Sequence, residues 1–188
     1  MALQYKLVAT DEEIQAVAAL ADEIWHEYWP ALIGDAQTDY MVKNFQSAED
    51  IARDIAEHNY WYYMIFDGDG TVVGYTASAP EYFSSPDDEG ANNHGTEVSK
   101  RFLNRLFISK IYLKKEERGK HYASRILEFW NDFSREHSLE GMYLTVNRDN
   151  ELGVRAYLGR GFEVLECVAA PIGEGFIMDD YIMGIPVK

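Results

Sequence analysis

Cysteine and long apolar runs are what this chain has least of. It carries one cysteine, Cys167, in 188 residues. That excludes an internal disulfide and a cysteine metal cluster, and no metal site is expected. No apolar run is long enough to span a bilayer, and the opening MALQYKLVATDEE lacks the apolar core of a secretion signal. A cytoplasmic protein without membrane partners is the expectation. Cations are scarce as well: 17 Lys and Arg stand against 32 Asp and Glu, a net charge of −15. Non-specific nucleic-acid binding depends on cations meeting phosphates, so nucleic acid is set aside as a partner. The acidity reads first as a solubility device and second as an attractor of amines and polyamines. A GxxxxGK[ST] loop is missing, which argues against a P-loop NTPase. Internal repeats, low-complexity tracts and domain boundaries are missing too. With 47% hydrophobic residues, one domain over residues 1–188 with a substantial core is expected.

What is present centres on the stretch Leu106–Trp130, LFISKIYLKKEERGKHYASRILEFW. Leu106–Leu113 is apolar, aromatic and β-branched, which suits a buried strand. A charged turn, Lys114–Arg118, leads to Gly119. Tyr122, Ile126, Trp130 and Phe133 then recur at helical spacing, with Leu127 and Phe129 beside them. A strand that turns into a helix start offers unpartnered N–H groups and a positive dipole end, which together favour an anion, above all a phosphate. Arg118 and Lys120 add two cations there, and Gly119, without a Cβ, lets a ligand approach the backbone.

Arg118-Gly119-Lys120-His121-Tyr122-Ala123 resembles the pyrophosphate-binding turn of the GNAT superfamily, the acyl-CoA-dependent N-acyltransferases. That motif runs Gln or Arg, two variable residues, Gly, one variable residue, then Gly or Ala. Here His121 occupies the central glycine position, where a histidine is strained if the backbone needs a positive φ. Further on, Asn150, Tyr157 and Gly161-Phe162 resemble the superfamily's second signature, an asparagine, a short helix carrying a tyrosine, then Gly-Phe. Asn150 caps that helix and Gly161 ends it. Gly153 stands where alanine is usual, and Ala156 where leucine is. The resemblance runs from about Tyr5 to Met183. It implies an α+β (three-layer α/β) fold with a mixed, mostly antiparallel sheet of six to seven strands flanked by helices.

The remaining chain reads as follows. Leu7–Ala9 is a first strand, and Thr10 with Glu13 forms a capping box. Ile14, Val17, Ala18, Ala21, Ile24, Trp25 and Tyr28 follow at helical spacing, ended by Pro30 and Gly34. Asp35 and Ser47 cap two more helices, the second burying Ile51 and Ile55. Tyr60–Phe66 and Thr71–Ala79 are strands joined at Asp67-Gly68-Asp69-Gly70. Residues 80–100 form a long, flexible acidic loop, read either as a cover for the acceptor entrance or as a surface insertion. Gly141 ends an element, Met142–Val146 is a buried strand, and Val164–Ala169 and Phe176–Met183 close the sheet. Of Asp179 and Asp180 only one can face inward. Cys167 reads as a buried structural cysteine.

The resemblance implies acetyl transfer from acetyl-CoA, the co-substrate, to a primary amine: a small amine, polyamine, amino acid or peptide N-terminus. It places backbone groups of Ile111, Tyr112 and Leu113 along the pantetheine. The amides of Arg118, Gly119, Lys120, His121, Tyr122, Ala123 and Ser124 take the pyrophosphate, Asn150 contacts the cofactor further along, and Tyr157 is the general acid. The first helices, with Trp25, His26, Glu27, Tyr28 and Trp29, would wall the acceptor site; core packing is the other reading of those aromatics. The general base stays open among Glu27, Glu81, Asp179, Asp180 and a water chain. Where many such strands carry a carboxylate, this one has Ser109 and Lys110. That departure keeps a second function open, a non-catalytic acyl-CoA-binding or regulatory module. A homodimer is also compatible with the reading.

Overall fold

The computed structural model describes residues 2–82 and 104–188. Its seven strands follow the order β1-β2-β3-β4-β5-β7-β6 in one sheet, antiparallel except between β4 and β5. The chain divides into two compact units, one made of residues 1–79 and 109–127, the other of residues 80–108 and 128–188.

The first unit begins with β1, Gln4–Leu7, three residues ahead of the expected Leu7–Ala9. The helix cap explains the shift. The Glu13 carboxylate accepts the Ala9 and Thr10 amides at 2.8 and 3.1 Å, so those residues are committed to the helix entrance rather than to a strand. Lys6 lies 2.8 Å from the same carboxylate, and together these partners hold Glu13 down at about 2. The helix that follows, α1, is Asp11–Tyr28 and buries Val17, Leu20, Ala21, Ile24 and Trp25. A single turn, α2, Pro30–Ile33, leads to α3, Asp35–Phe45. Asp35 is not the cap of α3: Gly34, at φ 82°, takes that position, and Asp35 sits in the first turn. Ser47 does cap α4, Ala48–Glu57, accepting the Asp50 amide at 3.1 Å. Ile51 is buried on α4, whereas Ile55 is half-buried.

Strands β2, Trp61–Phe66, and β3, Val72–Glu81, form the hairpin read from Asp67–Gly70. Asp67 Oδ1 accepts the Asp69 and Thr71 amides at 3.0 and 2.9 Å and so fixes the turn. The acidic loop expected at residues 80–100 lies outside the described residues from residue 83 on; its expected start is instead strand, since β3 continues through Pro80 to Glu81. Strand β4, Arg105–Leu113, opens into a 3₁₀ turn at Lys115–Glu117 and then α5, Tyr122–Glu136. Tyr122, Ile126, Leu127, Trp130 and Phe133 are buried, as their spacing requires.

In the second unit, residues Arg105–Ile108 of β4 run parallel to β5, Gly141–Asn147. Gly141 begins this strand rather than ending the previous element. Ser138, at φ 57°, and the Leu139 amide bonding back to Ser134 at 2.9 Å do the ending. Helix α6 spans Glu151–Leu158. Strands β6, Glu163–Gly173, and β7, Phe176–Pro186, outrun the expected strands because the hairpin needs only Glu174 and Gly175, both left-handed at φ 50° and 84°. Cys167 is exposed on β6, not buried.

Candidate functional site

The turn after β4 is built from two left-handed residues. Gly119 has φ 79° and His121 φ 62°, with Lys120 between them. Left-handed positions alternating with right-handed ones swing successive amides toward one concave side, the geometry of an anion nest. Helix α5 begins at Tyr122, so its dipole adds to the same turn. The positive φ expected to strain a histidine is therefore present. A non-glycine residue held left-handed costs on the order of 1–2 kcal/mol, and β4 and α5 on either side bear it.

Both cations of this turn are paired with carboxylates. Arg118 lies 2.6 Å from Glu27 on α1, donates from Nε to the Leu113 carbonyl at 3.2 Å, and stands 4.7 Å over the Tyr28 ring. Lys115 reaches Glu27 at 3.3 Å, and Lys120 reaches Glu117 at 2.9 Å. Burial works to raise the Glu27 carboxyl, but Arg118 and Lys115 outweigh it and hold it below the usual range. Glu27 is thus a brace between α1 and the turn. Sequence reading found the cations and missed the brace, since nothing in the spacing of residues 27 and 118 signals a pair.

Residue parity on β4 sorts the three pantetheine candidates. Thr76 donates to the Lys110 carbonyl at 2.6 Å, and Lys114 donates its amide to Val73 at 3.0 Å. A Cβ added to Gly74 would meet the Tyr112 carbonyl at 2.1 Å. Even-numbered residues therefore turn their backbone groups toward β3, and Gly74 is there so that β3 can come that close. Ile111 and Leu113 turn theirs to the opposite edge, where the Leu113 carbonyl already accepts Arg118. An isolated glycine within a strand pattern is the signal that could have found Gly74.

In the second unit Asn150 caps α6, its Oδ1 accepting the Gly153 amide at 3.0 Å. A Cβ on Gly153 would fall 2.9 Å from Asn150 Nδ2, so an alanine there would require the Asn150 side chain to shift. Tyr157 is half-buried, its ring 5.7 Å from that of Phe162. Comparison with known proteins gives the framework for these parts. The acetyltransferase (GNAT) family model matches residues 21–162. The chain belongs to the GNAT acetyltransferase family. No curated protein sequence matches it. Among solved structures, PaiA N-acetyltransferase from Thermoplasma acidophilum in complex with coenzyme A is 16% identical, at TM-score 0.68 with 99% of each chain covered. A GCN5-related N-acetyltransferase from Rhodopseudomonas palustris is 10% identical, at TM-score 0.70 with 99% of this chain and 96% of that one covered. Spermidine N-acetyltransferase from Vibrio cholerae in complex with CoA and spermine is 16% identical, at TM-score 0.61 with 98% and 95% covered. At these identities the likeness is one of fold.

A GNAT acetyltransferase needs a group that takes the proton of the attacking amine, and the structure separates the four carboxylates considered. Glu27 is held by Arg118 and Lys115. Glu81 accepts Arg105 Nε at 2.9 Å on one oxygen and the Tyr143 hydroxyl at 2.7 Å on the other. Asp179 is exposed and lies 3.1 Å from Arg148. Asp180 is the most buried of the four. It retains 7% exposure, and no hydrogen bond or ion pair holds it among the described residues. Burial, helped by the charge of Asp179, pushes its carboxyl up to about 6. His26, the other titratable group of the α1 cluster, bridges the Asp22 carbonyl at 3.0 Å and Asp39 at 2.9 Å, and Asp39 foremost raises its pKa. Among the described residues no cluster of His, Cys, Asp and Glu could hold a metal ion, and no helix is long and apolar enough to cross a membrane.

Proposed function

We propose that this chain is a cytoplasmic N-acetyltransferase acting as one domain over residues 1–188. It moves the acetyl group of acetyl-CoA to a primary amine by direct attack in a ternary complex. The observation that carries the reading is the left-handed pair Gly119 and His121 at the start of α5. That turn suits a diphosphate held by the amides from Arg118 to Ser124, with Arg118 and Lys120 acting through their backbone because their side chains are engaged. Ile111 is the β4 residue with backbone groups directed to the free edge for the pantetheine amides. Asn150 contacts the cofactor beyond them.

In this reading Asp180 takes the proton from the ammonium of the acceptor. Its carboxyl, near 6, is largely ionised at neutral pH yet basic enough to accept a proton. The free amine attacks the thioester carbonyl, and the tetrahedral intermediate collapses to amide and thiolate. The Tyr157 hydroxyl protonates the departing sulfur, and its phenolate takes up the proton that the attacking nitrogen still has to lose. What favours an enzyme over a non-catalytic acyl-CoA-binding module is the buried, unpartnered Asp180.

The test pairs binding with turnover. Calorimetry is expected to give micromolar affinity for acetyl-CoA in the wild type and in Tyr157→Phe alike. Coenzyme release should fall about 100-fold in the variant, the lower range for loss of a general acid. Equal turnover removes Tyr157 from the mechanism. Failure of the wild type to bind acetyl-CoA overturns the function.

A further inference from the structure

The first unit contains buried donors that the protein leaves unanswered. Lys110, on β4, retains 6% exposure. Its ammonium has three N–H donors. One reaches the Phe45 carbonyl at 3.4 Å, which is long for a charge-assisted bond, and the group stands 5.7 Å over the Tyr62 ring. The charged groups facing it from α4 are engaged elsewhere. Asp54 accepts the Tyr62 hydroxyl at 2.7 Å and pairs with His58 at 3.3 Å. Asp50 takes the Ser47 hydroxyl at 2.5 Å and the Arg53 guanidinium.

A run of contacts that begins one residue beyond the carbonyl reached by Lys110 leads to α1. Gln46, next to Phe45, accepts the Tyr75 hydroxyl at 3.0 Å. Tyr75 packs on Tyr112 at 5.3 Å, Tyr112 on Trp25 at 5.4 Å, and Trp25 stacks on Trp29 at 5.0 Å. Both indole N–H groups are buried without a hydrogen bond, although that of Trp25 is directed toward the Tyr75 hydroxyl. The unmet groups along this wall are thus all donors, and one of them is a cation. Buried donors left unpaired destabilise the fold, and more so when charged. What would answer them is an oxygen acceptor bearing negative charge.

We propose that this wall is a subsite for a carboxylate carried by the amine acceptor, so that the substrate is of the amino-acid type and not a polyamine. The inference rests on the acetyl transfer proposed above. A carboxylate brings about four lone-pair sites and neutralises Lys110. A polyamine brings further N–H donors and a like charge, leaving every unmet group as it was. The net charge of −15 draws cations in general toward the surface; the local donors decide which one is retained. Burial pushes the Lys110 ammonium down, against the opposing pull of Asp54 and Asp50, and a bound carboxylate would raise it again.

Two measurements test this. Coenzyme release is assayed with alanine against ethylamine, phenylalanine against phenethylamine, and spermidine. The amino acid is expected to exceed its decarboxylated partner at least tenfold in kcat/KM, and Lys110→Met should bring that ratio close to one, with Lys110→Arg keeping part of it. Equal or faster reaction of the plain amines or spermidine in the wild type overturns the subsite and leaves the transferase standing. Release from none of these overturns the transferase reading for these acceptors, and the subsite is then decided by ¹³C NMR of the Lys110 side chain during titration with alanine. A titration midpoint that rises on adding alanine supports the subsite; an unmoved one overturns it. This second readout uses the wild type and does not depend on how the variants fold.

Discussion

Strand β4 buries two positive charges, one at its first residue and one past its middle, and the two are treated in opposite ways. Arg105 retains 1% exposure and is fully answered: Nε donates to Glu81 at 2.9 Å, the guanidinium lies 5.0 Å over Tyr143, and Tyr143 closes the set by donating to Glu81 at 2.7 Å. Lys110, at 6% exposure, has one long bond to a carbonyl. A buried charge costs several kcal/mol to desolvate and is tolerated structurally only when partners are close and well aligned. Arg105 meets that condition and Lys110 does not. The same contrast holds for carboxylates, with Glu81 answered on both oxygens and Asp180 on neither. Charges with a full set of partners serve the fold, whereas those left short are where a ligand or a proton is expected.

The sharpest way to break this comparison is at Arg105. Arg105→Met strands Glu81 without its cation, and the expected loss is about 3–5 kcal/mol of unfolding free energy, read by chemical denaturation. A loss under about 1 kcal/mol would mean the triad is not structural. Asp180→Asn should act in the opposite sense, lowering kcat/KM about 100-fold by removing a base while stability at neutral pH rises. The sign follows from its carboxyl, raised in the folded protein from 3.8 to about 6. The native state then holds a proton that the unfolded state has released. Stability therefore declines as pH rises through that window, and the variant escapes the decline. The wild-type rate should climb with pH through about 6 and then level off, a limb that the variant lacks. A stability gain without a rate loss would make Asp180 a merely tolerated burial.

How much of this was legible in the sequence depends on the range of the interaction. The capping box at Thr10 and Glu13, the Asp67 turn, the Ser47 cap and the Asn150 cap are local, and each was found where four or five residues of sequence placed it. The turn proposed for the diphosphate was legible as a motif, and its left-handed histidine as a conditional strain. Boundaries failed where a cap competed with a strand, as at Ala9, or where a non-glycine residue ended a helix, as at Ser138. The brace of Arg118 by Glu27, the close approach at Gly74 and the poor coordination of Lys110 join residues 38 to 91 positions apart. No periodicity encodes such pairs; only the folded sheet brings them together.

Glu27→Gln probes an answered charge that is half exposed, so its effect should be smaller. Solvent screening limits the ion pairs to about 1 kcal/mol, and the acetyl-CoA dissociation constant should rise about fivefold as the turn loosens. Tighter binding would mean that Glu27 had been withholding Arg118 from the ligand. The smallest effect is expected at Lys110. Methionine keeps the length and apolar stem of lysine but removes the ammonium, so Lys110→Met forfeits one 3.4 Å bond and a distant ring contact while relieving a desolvated charge. The two terms oppose each other, and the change in unfolding free energy should stay within about 1 kcal/mol. Set beside Arg105→Met, the same chemical substitution on the same strand would then differ severalfold in cost. If Lys110→Met instead destabilises the protein as much as Arg105→Met does, the lysine is held by the fold after all, and its unmet donors are no guide to a ligand.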